Sequence, residues 1–213
     1  MIKWLHLNNW TYYFTICVIY IVLAYLMNSF LLTEDLFYAN LGEQYTIDQI
    51  KQLLSLNKSW ESIAYLFIPV VVIFRIFWTS FCLYIGDLVE ESHWKFKPLF
   101  NISLKADIVF CLNSACNFFY YALTENYKTI EDLSINSSSL LKIVGKENIP
   151  SWLILAFNSV NAFELLYMVL LVILLKISFR ITYFKSIVFV LLTYGVGNYL
   201  YLTAMTFLYL NFS

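Results

Sequence analysis

Five apolar runs divide the chain, at about 10–32, 62–86, 104–124, 151–175 and 182–210. Each approaches or exceeds the roughly 20 residues that a helix needs to cross hydrocarbon. The pattern predicts an all-α integral membrane protein: a bundle of five transmembrane helices with short amphipathic interfacial helices, forming a single membrane domain over residues 1–213. Between the first two runs, YTIDQIKQLLSLNKSW sets Ile47, Ile50, Leu53 and Leu54 at helical spacing, and Thr46 with Gln49 has the form of a capping box. A separate interfacial helix is therefore expected at about 46–56. The connection at about 125–150 carries Ser137 to Ser139 and ends in Pro150, which reads as one or two short helices with a turn. The first run has a core about twice the length of a signal-peptide core, so it is expected to stay as an anchor.

Composition agrees, since 61% of the 213 residues are hydrophobic and only 13% are charged. A water-soluble domain of this size could not hide so much apolar surface. The net charge of -1 leaves no basic footprint for nucleic acid, so the expected partners are the lipid bilayer and other membrane protein subunits. Cys17, Cys82, Cys111 and Cys116 lie in apolar runs without metal or disulfide spacing, and His6 and His93 are isolated from each other. HExxH, GxSxG, phosphate-loop and dinucleotide signatures are missing, so neither catalysis nor a cofactor is expected.

The informative residues are the polar ones inside the runs. Arg75 interrupts VVVIFRIFWTS, 15 residues after Trp60, and Glu164 lies 13 residues after Ser151. At helical rise both stand about 20 Å into helices that start from the same side, which predicts that they pair. Asn158 and Asn161 continue the Glu164 stripe, Asp107, Asn113 and Asn117 mark the third run, and Asn198 marks the fifth. Together these eight residues form a candidate intramembrane polar cluster. It has two readings: interhelical contacts that fix packing, or the lining of a path for a proton, an ion or a small solute. The first is favoured because nothing in the fourth run announces a broken helix.

Two stretches, YIGDLVEESHWKFKPLFNISLKADIVFCL and NSVNAFELLYMVLLVILLKISFRITYFKSIVFVLLTYG, resemble the Yip1 family of small five-span membrane proteins. Asn161, Phe163 and Glu164, then Lys176, Arg180, Lys185 and Ser186, occupy the family's pattern at the fourth and fifth spans. The layout is similar to the short bacterial members, and it implies a five-helix bundle without catalysis that acts through protein partners. The expected role is a non-enzymatic accessory or scaffold subunit of a membrane complex, with a small transporter or channel component as the alternative. The expected location is the bacterial inner membrane. Seven basic residues near the helix ends fall on the side of the amino terminus and five on the other, which places that terminus in the cytoplasm and the carboxyl terminus outside.

Overall fold

The computed structural model describes residues 8–42, 45–91, 93–125 and 127–212, so Lys3 and His6 lie outside the described residues. The chain is 86% helical, with no strand among the described residues. Five helical segments are long and apolar enough to cross a membrane: Asn9–Phe30, Ile47–Glu90, Phe96–Thr124, Ala162–Phe179 and Tyr183–Asn211.

The first is α1 (Asn9–Phe30), followed by the short α2 (Glu34–Leu41), whose amino end is capped by Thr33. The second is α3 (Ile47–Glu90), a single helix of 44 residues. The separate interfacial helix expected at 46–56 is thus corrected to the opening turns of α3. Its amphipathic spacing is real, and so is the capping box of Thr46 and Gln49. No glycine or proline follows until Pro69, however, so the backbone has no reason to stop. Instead Ile50 buries itself, Lys58 pairs with Glu34 at 3.3 Å, and the amphipathic turns pack on α2.

The third segment begins eight residues earlier than its hydropathy indicates, as α4 (Phe96–Ala106), and continues through Asp107 into α5 (Ile108–Thr124). The α4 helix is the centre of the molecule: Leu99, Ile102, Ser103, Leu104 and Ala106 are all buried, and it packs on α3 and the fourth segment. The turn joining α3 to α4 is held by Asp87, whose carboxylate accepts from the backbone N–H of Trp94 at 3.0 Å. The Trp94 ring stacks on Phe179 with centroids 4.0 Å apart.

After α5 come α6 (Ile130–Ser134), α7 (Leu140–Val144) and two 3₁₀ turns, and then a fourth span that is broken. Here α8 (Ile154–Ser159) ends, Val160 and Asn161 are extended, and α9 (Ala162–Phe179) resumes. The expected unbroken helix over 151–175 is corrected accordingly. Asn161 is the reason legible in the chain: its side chain accepts from the Glu164 N–H at 2.9 Å, a cap that starts a new helix. The freed backbone does not go unsatisfied. Leu140 N–H donates to Val160 O at 3.0 Å and Ala162 N–H to Ser138 O at 3.4 Å.

The last segment runs α10 (Tyr183–Val190), a π-helical turn (Leu191–Gly195) and α11 (Val196–Phe212). It meets α3 along an antiparallel seam in steps of four residues: Gly86 against Thr193, Cys82 against Gly197, Trp78 against Tyr201. A Cβ on Gly86 would lie 1.9 Å from Thr193 Cγ2, and one on Gly197 would lie 2.4 Å from Cys82 Sγ. The glycines therefore let side chains of each helix press on the backbone of the other at one end of the seam. At the other end two aromatic rings, with centroids 6.0 Å apart, hold the helices away from each other. The seam is a wedge.

Gly86→Ala should lower stability by about 1–3 kcal/mol in detergent unfolding, the usual effect of overpacking. Thr193→Ser in the same chain should restore most of the loss, because it deletes Cγ2 and keeps the hydroxyl bonded to Phe189 O. A neutral Gly86→Ala would show that the Thr193 side chain does not press on the α3 backbone there.

Candidate functional site

Where the wedge opens, α1, α3, α5, the 133–136 segment, the broken fourth span and the last segment surround a cavity of about 780 Å³. Its walls carry two separate charged groups.

The first is Arg75. Its Nε donates to Asp107 Oδ1 at 2.8 Å and its Nη2 to Asp107 Oδ2 at 2.7 Å, the two-pronged geometry that suits a guanidinium and a carboxylate. Nη2 also donates to the Tyr20 hydroxyl at 2.7 Å, and the guanidinium carbon lies 4.5 Å from the centre of the Phe110 ring. The expected Arg75–Glu164 pair is thus corrected to Arg75–Asp107. A third span starting at 104 would leave Asp107 near a helix end. With the span starting at Phe96, Asp107 stands eleven residues in, about 16 Å at helical rise, and can reach the guanidinium. The Asp107 side chain is fully buried, whereas that of Arg75 is 33% exposed. Nη1 has no protein acceptor among the described residues, and Arg75 lines the cavity.

The second group is Glu164. Oε1 accepts from the Tyr194 hydroxyl at 2.6 Å and from Asn198 Nδ2 at 3.2 Å. The π-helical turn helps to set this up, because Tyr194 belongs to it and Asn198 follows one helical turn later. Glu164 also sits in the first turn of α9, where the helix dipole favours a negative charge. Oε2 has no donor and the carboxylate has no ion-pair partner among the described residues. Between the two charged groups the aromatic rings of Phe110, Tyr167 and Tyr194 pack in series, with centroids 4.6 and 5.3 Å apart.

The remaining asparagines do different work from one another. Asn117 Oδ1 accepts from Ser137 N–H at 2.9 Å and from the Ser137 hydroxyl at 2.6 Å. Asn158 Oδ1 accepts from Asn136 N–H at 2.7 Å, and its Nδ2 donates to Ser134 O at 3.2 Å. With Tyr121, whose hydroxyl reaches Asp132 O and Ile135 O at 2.8 and 2.6 Å, they clamp the 132–137 segment across one end of the cavity as a plug. Asn161 caps α9 and lines the cavity, while Asn113 Oδ1 is buried without a partner among the described residues. The structure therefore brings Arg75 and Asp107 together, joins Glu164 to Asn198, and uses Asn117 and Asn158 to hold a loop. Tyr20 and Tyr194 were missed by reading charged and amide residues only. The signal available was a tyrosine deep in an apolar run, whose hydroxyl needs a partner when buried.

Comparisons with protein-family models, curated proteins and solved structures give no match, so nothing in them bears on the Yip1-like layout.

Arg75→Leu or Asp107→Leu alone should each lower stability by about 3–5 kcal/mol in detergent unfolding, because each strands a buried charge, while the double replacement should cost less than their sum. Arg75→Leu with Glu164→Leu should couple much more weakly; stronger coupling there than with Asp107 would refute the assignment.

Burial raises the Asp132 carboxyl, but N–H groups of Lys128 and Thr129, each at 2.9 Å, more than offset it and hold the group below the usual carboxylate range. With the folded value below the unfolded one, this stabilisation is present above the unfolded pKa of about 3.9 and is lost as pH falls through the folded value. Amide exchange over 128–136, corrected for its intrinsic pH dependence, should speed up below about pH 4, and Asp132→Asn should remove that dependence.

Proposed function

We propose that the chain is an integral membrane protein that holds a small molecule in the cavity enclosed by all five of its spans, as a transporter or channel component and without catalysis. The observation that carries this reading is the 780 Å³ cavity itself, with a carboxylate on its wall that no protein cation neutralises. Arg75 and Asp107 cancel each other, so Glu164 sets the sign of the chamber. Polar groups inside a membrane span are expensive, and a chamber that gathers two charged groups, two tyrosines and a broken helix is the arrangement expected of a solute path. The accessory-subunit reading rests on the Yip1-like layout and on polar contacts between helices, neither of which calls for a chamber of this size. The seven basic residues near the helix ends support an amino terminus on the cytoplasmic side.

Thiol accessibility in native membranes tests this. With the four native cysteines replaced, Ser114→Cys and Ala24→Cys on the cavity wall should react with a water-soluble methanethiosulfonate, while the buried Val109→Cys should not. The cationic ethylammonium reagent should outrun the anionic ethylsulfonate about tenfold at Ser114→Cys, and Glu164→Gln should erase that preference. Cavity positions that stay unreactive in native membranes and in detergent alike would mean a closed, dry interior and would end the solute reading.

A further inference from the structure

The wedge decides more than the existence of a chamber; it decides where the chamber opens. After the Trp78–Tyr201 contact, the next step of four along the seam would set Phe74 against Met205, yet Phe74 is 63% exposed. Val71 and Phe67, which follow it toward the start of α3, are 62% and 60% exposed and still line the cavity. The mouth therefore lies in the side of the bundle, between α3 and α11, and its rim is made of large apolar side chains. A mouth for a hydrated solute would have a polar rim.

Behind that rim the chamber becomes polar and offers one unbalanced carboxylate, Glu164, together with a guanidinium whose charge Asp107 already balances but which keeps an open N–H. Glu164 Oε2 is an acceptor without a donor, and Arg75 Nη1 is a donor without an acceptor, among the described residues. These vacancies sit on residues whose other atoms are already fixed by Asp107, Tyr20, Tyr194 and Asn198, so the groups are held in place before any ligand arrives.

We infer that the ligand is a zwitterionic amphiphile of the aminophospholipid type, admitted sideways from the bilayer. Its ammonium group is taken by Glu164, its phosphate faces Arg75, and its acyl chain leaves through the apolar rim at Phe67, Val71 and Phe74. The inference rests on the solute-chamber reading and narrows it to a ligand class. The unbalanced carboxylate selects an ammonium, the open N–H of Arg75 suits a phosphate oxygen beside it, and the apolar rim selects a head joined to a hydrocarbon body. A soluble zwitterion shares the head chemistry and is separated from the lipid by the test.

The experiment is native mass spectrometry of the full chain released from vesicles of equal parts phosphatidylethanolamine and phosphatidylglycerol. The wild type should retain one phosphatidylethanolamine, at least tenfold over phosphatidylglycerol. Glu164→Gln, which keeps the Oε1 acceptor for Tyr194 and Asn198 and so keeps the fold, should lose that preference. Val71→Trp, which fills the mouth and touches no polar group, should lose retention altogether. Equal retention of the two lipids, or a Glu164→Gln protein as selective as the wild type, overturns the assignment. So does a thermal shift with free phosphoethanolamine equal to that with the lipid, which would make the ligand a soluble zwitterion. Cavity cysteines that label with charge preference, beside absent lipid retention, overturn this inference and leave the chamber reading intact; cysteines that stay unreactive in detergent as well, where no bilayer seals the side mouth, overturn both.

Discussion

A guanidinium set deep in an apolar helical run needs groups that accept its hydrogen bonds, and that requirement organises three spans of this molecule. Arg75 on α3 takes two bonds to Asp107, at the joint of α4 and α5, and one to Tyr20 of α1. Removing any of these would leave polar atoms in an apolar interior, at a cost comparable to a good part of a domain's net stability. The register of the first three spans is therefore tied to one side chain. Because the pair neutralises itself, the charge of the interior falls to Glu164 alone.

A second constraint comes from size. Glycine at 86 and at 197 lets α3 and the last segment meet backbone to side chain, whereas Trp78 and Tyr201 force distance one turn further on. Small residues at one end and large rings at the other cannot give parallel axes, and the gap they leave becomes the chamber. The plug at the far end follows from the break in the fourth span. Once Val160 and Asn161 leave the helix, their backbone groups need partners, and the 138–140 strand of chain supplies them. Asn117 and Asn158 then fix the same loop by its own N–H and carbonyl groups. Cavity, break and plug are thus consequences of a few local choices of residue size and capping.

Much of this was open to reading from the chain. Five apolar runs, the Thr46–Gln49 cap and the polar residues that line the interior are all visible in order along the sequence, because hydrophobic length and capping chemistry are local properties. The separate helix at 46–56 failed because periodicity marks a face but does not mark an end, and no breaker residue was present to supply one. The unbroken fourth span failed for the opposite reason: Asn161 reads as one more member of a polar stripe until its cap to Glu164 is seen.

The pairing of charges shows where sequence runs out. That Arg75, Asp107 and Glu164 must each find a partner or a wet space follows from their chemistry and their depth in apolar runs, and the sequence by itself determined that. Which of the two carboxylates meets the guanidinium depends on how the helices are rotated and on a third span that begins eight residues before its hydropathy rises. Rotation about a helix axis is set by contacts with every neighbour at once, by Gly86 against Thr193 as much as by Asp107 against Arg75. Only the tertiary structure decided it, and with it the free carboxylate and the side on which the chamber opens.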